Sequence, residues 1–178
     1  MYQNIDGKII DVKCSYKLLD TDIDGTTIGF NVFDYNRDFT LVIDPWTTFV
    51  GGGAADIGSG ISTSSNGDVV ITGQCVSPNF PLSAGPFQNV FGGNSDAFIS
   101  KFNGTTGALI YSTYFGGIGA DYGYDVVTNA AGETYFVGSF ASTGMATAGA
   151  IQFVLGGNED IVVAKFSNTG ARVWSTYY

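Results

Sequence analysis

The chain has no histidine, 2 cysteines, 4 prolines and 7 basic residues among 178 positions, and each shortage closes off some functions. Without histidine there is no Ser-His-Asp arrangement and the commonest general base is missing, so any acid–base chemistry falls to carboxylates. Seven Lys and Arg against 16 Asp and Glu leave a net charge of −9. That balance argues against a nucleic-acid or anionic-membrane surface, because phosphate contacts need basic side chains. Cys14 and Cys75 stand in different segments and match no metal or redox spacing, so both are expected to be buried thiols. No run approaches the ~18–20 apolar residues of a membrane span. The start, Met1-Tyr2-Gln3-Asn4-Ile5-Asp6-Gly7, lacks the basic stretch and apolar core of a secretory signal. No useful window carries a 3.6-residue apolar period, so almost no helix is expected.

What the chain has in quantity is glycine, at 26 residues, and aromatics, at 15%. With 44% hydrophobic and 13% charged residues, this is the profile of turn-rich β structure and not of disorder. The glycines are unevenly spread, 3 in residues 1–45 and 23 in the remainder, which places a change of character near residue 45.

Beyond that point the sequence repeats. Tyr111-Ser112-Thr113-Tyr114-Phe115-Gly116-Gly117 has an earlier copy in Trp46-Thr47-Thr48-Phe49-Val50-Gly51-Gly52 and a later one in Trp174-Ser175-Thr176-Tyr177-Tyr178. Between the copies, Asp56 and Gly58 fall on Asp121 and Gly123, and Gly67 and Gly73 on Gly132 and Gly138, all 65 residues apart. Gln88, Asp96 and Lys101-Phe102 fall on Gln152, Asp160 and Lys165-Phe166, 64 residues apart. A fixed period of this length marks a tandem repeat of one supersecondary unit.

Each repeat offers four strands, rich in Val, Ile, Phe, Tyr and Thr as half-buried pleated surfaces favour. The first copy places them at 57–63, 68–75, 97–102 and 108–115, and the second at 122–128, 133–140, 161–166 and 172–178. Tight turns at Asn66-Gly67 and Asn103-Gly104 suit the positive φ that short hairpins require. Four antiparallel strands per repeat make a propeller blade. Ahead of the repeats, alternation over 10–18 and 28–32 and an apolar run over 39–43 predict three strands of an antiparallel meander, with a turn over 20–26. The fold class is therefore all-β: two four-stranded antiparallel blades, about 56–115 and 121–178, packed face to face. A three-stranded meander over 1–45 precedes them, with 46–50 as an orphan outer strand.

The repeat resembles the SBBP family, a bacterial β-propeller repeat. The residues that carry the likeness are Leu109-Ile110-Tyr111-Ser112-Thr113-Tyr114-Phe115-Gly116-Gly117, Asp121-Tyr122-Gly123-Tyr124-Asp125-Val126 and Gly132-Glu133-Thr134-Tyr135-Phe136-Val137-Gly138. Phe80-Pro81, Gly85-Pro86-Phe87-Gln88 and Asp96-Ala97-Phe98-Ile99-Ser100-Lys101-Phe102 also fit. The likeness spans 46–178, and 1–45 is similar to the β region that precedes such repeats in large bacterial surface proteins. The second copy departs where Phe-Pro is expected, carrying Met145-Ala146, so its long loop is expected to differ in shape. The resemblance implies architecture and a secreted or cell-surface setting, and it supplies no catalytic residue set.

Candidate chemistry is sparse. Asp20-Thr21-Asp22-Ile23-Asp24-Gly25 has the D-x-D-x-D-G spacing of a calcium loop, in which alternate oxygens converge on one hard cation. Its twelfth position is Asn31 instead of a bidentate acid, and a hairpin turn competes with the metal site. Asp56 with Asp121, and Asp96 with Asp160, recur at equivalent positions. A catalytic pair normally breaks repeat symmetry, so these acids are expected to accept hydrogen bonds from turn amides at strand starts. Asp125 is unique to its copy. The Gly-Gly pairs at 51–52, 92–93, 116–117 and 156–157 lack a following Lys-Ser/Thr and helix, so they read as turn glycines and not phosphate cradles. Asn103-Gly104-Thr105 is formally a glycosylation sequon but reads as a turn. Trp46, Tyr111, Tyr114, Trp174 and Tyr177 are expected to pack between blades more than to stack on sugars.

Two functions remain. One is a non-catalytic structural or binding module that presents propeller loops to protein or glycan. The alternative is a carbohydrate-active propeller enzyme, glycosidase or lyase, using paired carboxylates. The expected partners are further blades of a parent propeller, since a ring takes about four to eight blades and this chain supplies two.

Overall fold

The computed structural model describes residues 1–22, 25–42 and 48–178. They form thirteen strands and no helix, in two compact units, Met1–Trp46 and Thr47–Tyr178.

In the first unit, β1 (Tyr2–Ile5) and β2 (Lys8–Asp11) make a hairpin through Asp6-Gly7. Both turn residues have positive φ, 52° and 82°, the backbone of a two-residue turn whose twist matches its strands. The next strands, β3 (Cys14–Asp22) and β4 (Gly25–Val32), pair separately as a second hairpin. The short β5 (Leu41–Val42) pairs with β1, completing a three-stranded antiparallel sheet in the order β2-β1-β5. Gln3, 1% exposed, pins the following loop to β1. Its Nε2 donates to the carbonyls of Asn36 (2.6 Å) and Phe39 (2.9 Å), and its Oε1 accepts from Asn36 N (2.9 Å).

The three-stranded sheet is thus present with a different membership. The strand expected over 10–18 is two strands that break beside buried Val12, whose amide donates to Met1 O. Alternation of period two runs unchanged through such a break, so it cannot mark one. The turn expected over 20–26 is also narrower, because β3 extends to Asp22 and β4 resumes at Gly25.

The second unit holds two sheets. Blade 1 is β6 (Asp56–Thr63), β7 (Val69–Cys75), β8 (Asp96–Phe102) and β9 (Leu109–Phe115). Blade 2 is β10 (Asp121–Thr128), β11 (Thr134–Phe140), β12 (Asp160–Phe166) and β13 (Arg172–Tyr177). Both run antiparallel in chain order. They carry matching bulges, between Gly58 and Gly60 and between Gly123 and Asp125. Opposite each bulge a side chain is excluded: a Cβ on Gly73 would overlap the Ile57 carbonyl, and one on Gly138 the Tyr122 carbonyl. The turn at Gly67 has the expected positive φ, 85°. The turn after β8 is longer than Asn103-Gly104 alone, with its positive φ at Gly107 (69°).

The blades pack face to face through one core. Val70, Ala97, Ile99, Tyr111 and Phe115 of blade 1 meet Val126, Phe136, Phe140, Val162 and Phe166 of blade 2. Phe115 is central, edge-on to Phe136 (5.4 Å) and Phe166 (5.3 Å) and tilted against Phe140 (4.9 Å). Such aromatic pairs contribute roughly 0.5–1.5 kcal/mol each beyond the area they bury. At one edge of the interface β6 and β10 lie side by side, with Ser62 Oγ and Thr128 Oγ1 hydrogen-bonded at 3.2 Å.

Residues 48–50 are not a strand. Trp46 and Thr47 lie outside the described residues. Phe49 is fully exposed, while Val50 packs against Cys75, Phe80, Phe98 and Tyr114. Their counterparts, β9 and β13, exist by pairing with β8 and β12. Residues 48–50 pair with no strand of the described sheets, and an unpaired strand is not stable.

Candidate functional site

Antiparallel pairing puts the long loops 76–95 and 141–159 at one end of the blades and the tight turns at the other. At the loop end, four Gly-Gly pairs and four aspartates form one repeated clamp. The carboxylate always sits four residues after the glycine whose amide it accepts: Gly52 to Asp56 (2.7 Å), Gly92 to Asp96 (2.9 Å), Gly117 to Asp121 (2.7 Å) and Gly156 to Asp160 (2.6 Å). The turn-amide role expected of these acids is what the geometry displays.

The second partner separates two kinds of clamp. Asp56 and Asp121 also bind the loop after the second strand, accepting from Ser77 Oγ (2.8 Å) and Ser142 Oγ (2.6 Å) respectively. Asp96 and Asp160 accept instead from Gln88 Nε2 (2.8 Å) and Gln152 Nε2 (2.6 Å). Two tyrosines complete the loop anchors. Tyr114 OH donates to Ser77 O (2.7 Å) and accepts from Phe80 N (3.0 Å); Tyr177 OH donates to Ser142 O (2.6 Å) and accepts from Met145 N (3.1 Å). The loop with Met145-Ala146 in place of Phe80-Pro81 keeps the same tether. The tether uses a main-chain amide, and any residue but proline supplies one.

Equivalent acids differ in electrostatics because only some lie inside the blade junction. Asp96 and Asp121 are fully buried and converge: the point where a Cβ on Gly116 would stand is 2.7 Å from Asp96 Oδ1 and 2.8 Å from Asp121 Oδ2. Burial, with the Asp121 charge adding to it, pushes the Asp96 carboxyl up to about 6 despite hydrogen bonds from Gly92 and Gln88. Burial raises Asp121 as well, against its bonds from Ser142 and Gly117. Asp96 Oδ1 and the neighbouring Ser95 Oγ have no hydrogen-bond partner. In half-buried Asp56, burial also acts upward, but bonds from Cys75, Gly52, Ser77 and Val76 outweigh it and the carboxyl lies below its ordinary value.

At the turn end, Ser65, Asn66, Asp68, Lys101, Gly132 and Asn168 help line a polar cleft of about 300 Å³ between the blades. Lys101 is 4% exposed and its Nζ lies 3.4 Å from Asp68 Oδ2. Burial acts upward on Asp68, yet bonding to Asn66 and Lys101 holds its carboxyl below the ordinary value. Blade 2 repeats the pair as Lys165–Glu133 (2.8 Å). The match of Lys101 with Lys165 was visible in the repeat, but its pairing with the acid that stands just before the neighbouring strand was not.

The other sequence candidates are dispersed. Asp20 and Asp22 lie in β3, opposite Thr27 and Gly25, and Asp24 lies outside the described residues. Among the described residues no three His, Cys, Asp or Glu side chains group as a metal site. Asp125 is exposed and its Oδ1 accepts from the amide of Val126 (2.9 Å). Asn103 of the sequon turns its Oδ1 inward to Thr105 N (3.0 Å) and Thr106 N (2.8 Å). Tyr111, Tyr114 and Tyr177 are core residues, and Trp174 is 37% exposed. Cys75 is buried, its thiol raised by that burial to about 12. Cys14, expected to be buried, is exposed: it starts a hairpin and not the middle of a long inward-facing strand.

Residues 1–46 match a family described as a domain of unknown function, DUF7948. The match covers the first compact unit and none of the described blade strands. No curated protein matches the chain. Among the described residues no helix is long and apolar enough to cross a membrane.

Proposed function

We propose that the chain is a non-catalytic structural and binding module of a bacterial secreted or cell-surface protein. On this reading its SBBP-type blades hold loops 76–95 and 141–159 out for a protein or glycan, and further blades of a parent propeller are its neighbours. The supporting observation is the fourfold clamp. Every recurring aspartate is engaged in fixing a loop, with two tyrosines tying the same loops from below. Carboxylates so employed hold a constant loop shape, which suits presentation. The polar cleft at the turn end offers the exposed Asn66 and Asn168 amides to a hydroxyl-bearing ligand.

The convergence of Asp96 and Asp121, with one of them raised, is what favours the alternative, a carbohydrate-active enzyme with paired carboxylates. Both are fully buried, however, and neither lines the polar cleft. A glycan array and a panel of polysaccharides separate the readings. Binding without cleavage, weakened by Val90→Ala or Phe153→Ala at exposed positions of the two loops, supports the module. Cleavage that disappears in Asp96→Asn while the protein stays folded overturns it.

A further inference from the structure

The cleft at the turn end draws its walls from both blades, with Ser65, Asn66 and Ile110 on one side and Ala130, Ala131 and Asn168 on the other. The two turns that frame it differ where a repeat would make them alike. At the 65-residue spacing, Ser64, Ser65 and Asn66 fall on Asn129, Ala130 and Ala131. In blade 2 the asparagine is occupied within its own turn. Asn129 Oδ1 accepts from Ala131 N (3.0 Å) and Glu133 N (3.0 Å), and its Nδ2 donates to Glu133 Oε2 (2.7 Å). The exposed positions of that turn, Ala130 and Ala131, carry only methyl groups. In blade 1 the amide stands two residues later, at an exposed position. Asn66 Oδ1 accepts from Ser64 Oγ (2.5 Å) and Nδ2 donates to Asp68 Oδ2 (2.9 Å), which fixes the amide and leaves one Nδ2 hydrogen unused. Behind it the Lys101–Asp68 ion pair (3.4 Å), buried on both sides, holds the carboxylate that orients Asn66. Across the cleft, Asn168 is exposed and its amide makes no hydrogen bond with the described residues. At the 64-residue spacing its counterpart is Gly104, which has no side chain. The two amides that break the repeat thus line one cleft.

We propose that this cleft binds a single neutral sugar ring, a proposal that rests on reading the chain as a binding module but places the contact at the end opposite loops 76–95 and 141–159. A ligand site breaks repeat symmetry for the same reason a catalytic pair does: one ligand needs one constellation. The chemistry selects the class. An asparagine amide donates and accepts at once, which matches adjacent hydroxyls that do the same. Ile110, 41% exposed, offers apolar surface to the C–H face of a ring. A charged ligand finds no unpaired counter-charge, because Lys101 is neutralised by Asp68, and the net charge of −9 opposes anions. The volume, about 300 Å³, is at the lower end for small-molecule sites, which suits one ring and not a buried chain of them.

The test is saturation-transfer NMR and titration calorimetry on the full chain, with methyl glycosides of glucose, galactose, mannose and N-acetylglucosamine, and with glucuronic acid. At least one neutral glycoside is expected to bind with a Kd of about 1 mM or somewhat above, and glucuronic acid more weakly. Asn168→Ala loses no hydrogen bond of the fold, so it is expected to keep the wild-type Tm while weakening binding about tenfold, the worth of roughly one or two hydrogen bonds. Ala131→Tyr, which fills the cleft from an exposed wall, should abolish binding. Val90→Ala and Phe153→Ala, at the other end, should leave it unchanged. No transfer from any neutral glycoside, tighter binding of glucuronic acid, or binding that survives both cleft variants overturns the proposal. The two sites fail separately: a silent cleft leaves glycan-array binding lost in the loop variants as evidence for loop presentation, and cleft binding with no effect of the loop variants on the array overturns loop presentation alone.

Discussion

Replacing Asp96 by asparagine should stabilise the protein at neutral pH, although it removes the charge of one of the four repeated clamps. Asp96 Oδ2 accepts from Gly92 N (2.9 Å) and Gln88 Nε2 (2.8 Å), whereas Oδ1 is buried without a partner and faces Asp121. Asparagine keeps an acceptor toward Gly92 and Gln88 and turns an amide donor toward Asp121, relieving the orphaned oxygen and the like-charge contact together. The folded carboxyl titrates at about 6 against an ordinary 3.8. A carboxyl raised on folding contributes stability that is fully present below about pH 4 and is lost as pH rises through about 6. At about 1.4 kcal/mol per pH unit, the two-unit separation costs the native state up to about 3 kcal/mol at pH 7.5. At roughly 2–4 °C per kcal/mol for a chain of this size, Asp96→Asn raises Tm at pH 7.5 by up to about 6–12 °C. Wild type should close about half of that gap at pH 5. Asp121→Asn is the control, since both Asp121 oxygens already accept, from Gly117 N, Ser142 Oγ and Ser142 N, and an amide there faces a donor. It should lower Tm at both pH values. Thermal melts at pH 5 and 7.5 decide the matter: an Asp96→Asn protein that melts as low as Asp121→Asn, or keeps the wild-type pH profile, refutes the reasoning.

Lys101→Met leaves the Asp68 carboxylate buried without its cation and should cost about 3–5 kcal/mol, read as a lower urea midpoint; the more exposed Lys165→Met should move the midpoint far less. Thiol labelling of the native protein should modify Cys14 rapidly and Cys75 only after denaturation, because burial holds the Cys75 thiol at about 12; two thiols reacting at once would contradict the packing. Millimolar calcium should leave Tm unchanged in wild type and in Asp22→Ala alike. A rise that the variant abolishes would establish Asp20, Asp22 and Asp24 as a metal loop.

The blades were legible residue by residue because a repeat fixes strand boundaries twice. Each copy's glycines, Gly67 with Gly132 in the turns and Gly73 with Gly138 in the strands, check the other's, and the strands fall within about one residue of where alternation places them. The same symmetry made the aspartate clamps readable, since an acid three or four residues beyond a Gly-Gly pair recurs in every loop. The first unit has no such duplicate. A two-residue period there could not distinguish one long strand from two, nor reveal that β1 sits between β2 and β5. Local sequence thus determined the all-β class, the eight blade strands, the loop and turn ends and the structural use of four carboxylates. Tertiary structure alone decided which members of each equivalent pair became different. Asp96 and Asp121 are pressed together while Asp56 stays half-buried, and Val126 is sealed while Ile61 stands open. Sequence equivalence describes what a residue does within its own blade. Burial, charge proximity and free surface depend on which blade stands opposite, and only packing in three dimensions supplies that.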